Sequence, residues 1–150
     1  MWTEAFEEIV QALPTACRAV YGDRLKAVAI YGSVARGTMR PDSDIDVLIV
    51  ADALAASRAA RMDEFEQIDR LLAGKISSAR AAGVHTTVMP NLKTPAELRA
   101  GSLLYLDMTD QARILHDPEE SSAAILTILP SACARWARAG CHSAAVTTGN

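Results

Sequence analysis

Asp44 and Asp46 stand one residue apart, and a glycine–serine pair, Gly32-Ser33, precedes them with ten residues between. In an extended chain, side chains two positions apart point the same way. Asp44 and Asp46 therefore project together while Ile45 and Val47 face a core. Two acids fixed side by side are costly without a cation between them, which points to a divalent metal. Gly32-Ser33 closes the apolar run LKAVAIY, and a strand-to-helix turn there offers backbone N–H groups and one hydroxyl to a ligand. Phosphate oxygens suit that seat. Arg36 lies nearby as either a substrate contact or an ion-pair partner of the acids, Arg40 as a solvated turn residue and Asp42 as a turn former. A phosphate seat beside metal-holding carboxylates is the equipment of phosphoryl or nucleotidyl transfer.

Rival motifs fail on the same residues. Gly32 and Gly37 have the glycine spacing of a phosphate-binding P-loop, but Thr38 stands where its lysine belongs. Asp42, Asp44 and Asp46 imitate the start of a calcium-binding EF-hand loop, yet Val47 replaces the required glycine and Ala53 the closing glutamate. A phosphatase with an aspartate nucleophile would carry that residue after its apolar strand. Here the apolar run IDVLIV follows the acids.

The segment YGSVARGTMRPDSDIDVLIV resembles the nucleotidyltransferase signature of the DNA polymerase beta superfamily, Gly-Ser followed after ten residues by Asp-x-Asp. Ala35-Arg36-Gly37 and Ser43-Asp44-Ile45-Asp46 are similar to its minimal-nucleotidyltransferase branch. The likeness is tightest over residues 25–52 and looser to about 117, where LYLDMTDQARILHD is similar to small stand-alone members. It implies transfer of a nucleoside monophosphate from an NTP, usually ATP, to an acceptor hydroxyl. In that scheme Gly32 and Ser33 hold the outer phosphates, Arg36 assists, and Asp44 and Asp46 bind Mg²⁺ and shape attack on the α-phosphorus. The superfamily normally places a third carboxylate on a later strand. The segment expected to form that strand, Val84 to Met89, contains none. Asp69 and Asp107 are substitutes to weigh, with His85 as a base or ligand. Small members of this superfamily often act beside a helical partner protein, some as antitoxins. The resemblance therefore also admits a nucleotide-binding, antitoxin-like module of weak catalysis.

Elements that position these residues follow from periodicity. Phe6, Ile9, Val10, Leu13, Cys17 and Val20 recur at helical spacing from about Thr3 to Tyr21, with Thr3 as N-cap, Pro14 kinking or splitting the helix and Gly22 ending it. Leu25 to Tyr31 and Ile45 to Val50 read as buried strands. Ser57 to about Ala82 reads as a long helix whose core face is Met62, Phe65, Ile68, Leu72, Ile76 and Ala79, with Gly83 as its stop. Val84 to Met89 reads as a third strand closed by Pro90. Thr94-Pro95-Ala96-Glu97 starts a short helix, Ala112 to Leu115 is a fourth strand, and a last helix follows Asp117-Pro118. Met89, Leu106 and Met108 are assigned to the core, and His116 and His142 to structural or surface roles. The order is that of a mixed α/β, or α+β, domain with a small mixed sheet and flanking helices.

Composition sets the bounds. The 150 residues suit one domain, here 1–150, with about 119–150 as a divergent helical tail whose ending CARWARAGCHSAAVTTGN is unlike the superfamily. Half the residues are hydrophobic and 5% aromatic, so the core is aliphatic. Fifteen Lys and Arg against 18 Asp and Glu give a net charge of −3, which excludes general DNA binding. There is no apolar run long enough for a membrane span and the start lacks signal-peptide character. Cys17, Cys133 and Cys141 are widely spaced and odd in number, as reduced thiols of a cytoplasmic protein are.

Overall fold

The computed structural model describes residues 2–100 and 112–116. Helix α1 (Trp2–Tyr21) leads through a single 3₁₀ turn (Gly22–Arg24) into strand β1 (Leu25–Tyr31) and the five-residue helix α2 (Gly32–Arg36). Strand β2 (Ile45–Ala51), helix α3 (Arg58–Ala81), strand β3 (Val88–Lys93), helix α4 (Pro95–Ala100) and strand β4 (Arg113–His116) follow. The four strands form one mixed sheet in the order β3-β2-β1-β4. β1 runs antiparallel to β2 and to β4, whereas β2 and β3 are parallel. This is the mixed α+β architecture that the periodicity implied.

Two helices cover one face of the sheet. Phe6, Ile9, Val10, Leu13 and Cys17 of α1 and Phe65, Ile68 and Leu72 of α3 are buried against Val28, Ile30, Ile45, Val47 and Ile49. Alternation along a strand then turns Asp46, Leu48 and Val50 to the opposite face, where α4 packs against β2 and β3. Gly22 and Gly83 take positive φ at the ends of α1 and α3, as the sequence requires of helix stops. Arg113 of β4 donates two hydrogen bonds to Glu7, at 3.0 and 2.8 Å, pinning the edge strand to α1.

Several expectations are corrected. Helix α1 is unbroken through Pro14 and starts at Trp2, so Thr3 lies within its first turn rather than capping it. One lost backbone hydrogen bond is outweighed by the apolar stripe from Phe6 to Cys17, which is buried on both sides of the proline. The third strand is Val88–Lys93, not Val84 to Met89, and it includes Pro90. β3 is an edge strand, where an N–H facing away from the sheet has no ladder partner to lose. Met89 is 48% exposed and Met62 38%, so neither belongs to the core. The fourth strand is shifted by one residue, to Arg113–His116. The helix expected after Asp117-Pro118, the tail, Leu106, Asp107, Met108, His142, Cys133 and Cys141 lie outside the described residues.

Candidate functional site

The turn after β1 is built on one glycine. Gly32 opens α2 at φ +72°, a left-handed conformation that favours glycine, and Tyr31 just before it is paired in register with Asp46 across the sheet. The Gly32 Cα lies against the Asp46 carboxylate so closely that a Cβ there would overlap Asp46 Oδ2. Ser33 sits inside the first turn of α2 and does not cap it; its carbonyl accepts from the Thr38 N–H at 2.9 Å. Gly37, also at φ +72°, terminates the helix.

Asp44 and Asp46 come together from the other strand. Asp46 is half-buried within β2, and Asp44 is exposed just before it. The Thr87 N–H donates to Asp44 Oδ1 at 3.2 Å, and the Ile45 N–H donates to the Thr87 carbonyl at 2.9 Å. These two bonds fasten Asp44 to the segment that leads into β3. Burial pushes the Asp46 carboxyl above its ordinary range, the neighbouring Asp44 charge pushes it further, and Arg36 draws it back. Four of the residues singled out in the sequence, Gly32, Asp44, Asp46 and Arg36, therefore meet at one place, with Ser33 beside them. Arg40 is exposed and paired with Asp42 at 3.4 Å, as its turn position suggested. His85 is exposed, with its backbone N–H donating to the Pro41 carbonyl at 2.8 Å.

No third acidic ligand joins the pair among the described residues. Asp69 is on α3 and belongs to no cluster with Asp44 and Asp46. On β3 the residue in register with Asp46 is Met89. Side chains sharing that face of the strand are Met89, Asn91 and Lys93, none of them a carboxylate.

Beyond Met89 opens a cleft of about 420 Å³ that no local sequence pattern signals. Asp46 and Tyr31 form one end; Arg58 and Met62 of α3, and Met89, Asn91 and Lys93 of β3, form the walls. Its back is an ion-pair clamp. Arg61 donates to both carboxylate oxygens of Glu97 at 2.8 Å, to the Leu92 carbonyl at 3.1 Å and to the Ala55 carbonyl at 2.5 Å. One guanidinium thereby ties together the β2–α3 loop, α3, β3 and α4. Glu97 also completes a capping box: its Oε2 accepts from the Thr94 N–H, while Thr94 Oγ1 accepts from the Glu97 N–H. Hydrogen bonds from Arg61 first, then from the Thr94 backbone, lower the Glu97 carboxyl to about 2. The capping box was legible as Thr-Pro-Ala-Glu; the partner Arg61, 36 residues away, carried no local signal.

Comparisons with known proteins converge on this site's fold. The profile of the nucleotidyltransferase domain matches residues 10–99. A curated Methanocaldococcus jannaschii protein named as a protein adenylyltransferase is 43% identical over 49 residues, which are 33% of this chain and 45% of that protein. The chain thus spans about half the length of the curated relative it matches. A chain from a toxin–antitoxin crystal structure with AMP-PNP superposes with a TM-score of 0.57 at 18% identity, covering 87% of this chain and 90% of that one. A chain from a complex of a tri-AMPylated Shewanella oneidensis HEPN toxin with its MNT antitoxin superposes with a TM-score of 0.50 at 16% identity, covering 93% and 92%. At such identities the structural likeness concerns the fold. With a family match that spans α1 to α4 and this arrangement of strands, the chain belongs to the nucleotidyltransferase domain family.

Proposed function

We propose that the chain transfers AMP from ATP to the hydroxyl of an acceptor with Mg²⁺, and that the acceptor is presented by a helical partner protein. The observation that carries this reading is the convergence of Asp44 and Asp46 beside Gly32, with Asp46 left half-buried under an adjacent like charge. The residues fit Mg²⁺, which is commonly held by one or two carboxylates with substrate phosphates completing its shell. Bound there, Mg²⁺ would neutralise the two acids and draw charge from the reacting phosphate. Gly32 and Ser33 seat the outer phosphates, Arg36 neutralises charge at the same end, and Asp44 and Asp46 orient the α-phosphate toward the acceptor. AMP as the transferred group is supported by the adenylyltransferase name of the curated relative, by the AMP-PNP in one neighbouring structure and by the AMPylated toxin in the other. Residues 1–150 act as one nucleotidyltransferase domain, in the cytoplasm.

Incubation with α-labelled ATP, Mg²⁺ and cell extract tests the reading. Label reaches an acceptor with the native protein, and Asp44→Asn or Asp46→Asn lowers the rate by about a hundredfold or more. Tight Mg-ATP binding with no label transferred would favour the second reading, a partner-binding module of weak catalysis. The observation favouring that reading is the absence of a third acidic ligand among the described residues.

A further inference from the structure

The two sides of Asp46 are chemically unlike. Toward β1 lies the Gly32-Ser33 turn; the cleft begins at Tyr31 and Asp46 and extends toward β3, and neither Gly32 nor Ser33 lines it. Displacement at phosphorus runs in line, with the entering and leaving oxygens on opposite sides. If pyrophosphate leaves on the Gly32-Ser33 side, as proposed above, the nucleophile enters from the side of the cleft.

The cleft walls state what such a nucleophile must be attached to. Arg61 and Glu97 neutralise one another at its back. Arg58 and Lys93 remain as cations in no ion pair among the described residues, although the Lys93 charge also reaches Glu97. Met62 and Met89 line the same cleft with exposed side chains that are apolar, unbranched and adaptable in shape, Met89 at the register position of Asp46. Asn91 supplies one amide to the same face. These two cations, in no ion pair among the described residues, repel a polycationic small-molecule acceptor. They are too few, and too interrupted by apolar surface, for the continuous phosphate contacts that hold RNA, and the net charge of −3 works against RNA as well.

We infer that the cleft between β3, α3 and α4 is the acceptor site, and that it takes a polypeptide segment whose hydroxyl residue is flanked by acidic and apolar side chains. The acidic residue lies between Arg58 and Lys93, the apolar one on Met62 and Met89, and the hydroxyl points to Asp46. The acceptor oxygen forms its bond to the α-phosphorus as the bond to the α,β-bridging oxygen breaks. Pyrophosphate departs past Gly32-Ser33, and the hydroxyl proton passes to water at the open mouth of the cleft. Met89, in register with Asp46, sets specificity by giving the acceptor an apolar contact beside the reacting atoms.

This inference rests on the proposed transfer reaction, so its test reads binding and turnover separately. Two fluorescent peptides are compared by anisotropy, each with a central tyrosine and one leucine, flanked by glutamates in one and lysines in the other. Binding of the glutamate peptide about tenfold tighter than the lysine peptide, reversed in an Arg58→Glu and Lys93→Glu double variant, is the expected result. Mg-ATP affinity, read by calorimetry on the same samples, stays within about twofold, because like-charge reversal acts on the acceptor side alone. Circular dichroism confirms that the double variant is folded; Arg58→Gln and Lys93→Gln, milder changes at the same surface positions, give a smaller loss in the same direction. Equal affinity for the two peptides, or a loss of Mg-ATP affinity equal to the loss of peptide, overturns the inference, the second outcome assigning the cleft to the nucleotide. Tighter binding of an RNA oligonucleotide than of either peptide overturns it too. Peptide binding as expected without label transfer upholds the cleft and rejects the transfer reaction; label transfer to extract proteins without peptide preference does the reverse.

Discussion

The β1 side and the β3 side of Asp46 are built by different means. On the β1 side the parts are neighbours in sequence: Gly32 and Ser33 follow directly on β1, and Asp44 and Asp46 flank the first residue of β2. What matters there is close approach of backbone to carboxylate, so the position tolerates no side chain. On the β3 side the parts come from α3, β3 and α4, and long side chains held by one ion pair shape the space. The first side is made by removing atoms and the second by adding them. The two sides accordingly differ in what breaks them.

Replacing Gly32 by alanine should give the largest effect. The new Cβ meets Asp46 Oδ2 and displaces it, and a misplacement of this kind costs about a hundredfold in transfer rate. Gly37→Ala is the matched control, since Gly37 has the same φ of +72° but nothing within 4 Å of its Cβ position. Both variants lose about 1 kcal/mol of stability through the left-handed backbone, measured by urea unfolding, while only the first loses activity. Equal loss of activity in both would show that backbone strain, and not contact with Asp46, governs the β1 side.

Arg61→Met tests the β3 side. It keeps the bulk of the side chain but leaves Glu97 and two carbonyls without their donor, so unfolding free energy falls by about 2 kcal/mol. A loss indistinguishable from zero would mean that the clamp does not hold the cleft together.

The smallest effect concerns pH. The Glu97 carboxyl falls from 4.5 to about 2 on folding, so its contribution is complete above the unfolded value and is lost as pH drops through the folded one. The stability difference between the native chain and Glu97→Gln therefore stays constant above pH 4.5 and shrinks toward about pH 2. A difference that grew with acidity in chemical denaturation would contradict the clamp's charge.

Local signals carried most of the elements. Helix stops at Gly22 and Gly83 were legible because a positive φ favours glycine, and the α4 start because its capping residues bond to each other. Pro14 and Pro90 misled for one reason: a missing N–H matters only where a partner awaits it, and packing or an edge position removes that need. Met89 was assigned to the core because apolar residues on a strand read as inward, whereas in the folded chain it faces the cleft.

By itself, the sequence determined the placing of Gly32, Asp44 and Asp46 near one another. Strand alternation and a glycine turn fix side-chain direction over a few residues, and a single antiparallel pairing of β1 with β2 does the rest. Tertiary structure alone decided what faces Asp46 from the other side. The parallel register of β2 and β3 puts Met89 opposite the carboxylate, and the crossover through α3 brings Arg58, Met62 and Arg61 to the cleft. No local pattern encodes that meeting, because it depends on how a 24-residue helix lies across the sheet when its apolar face is buried.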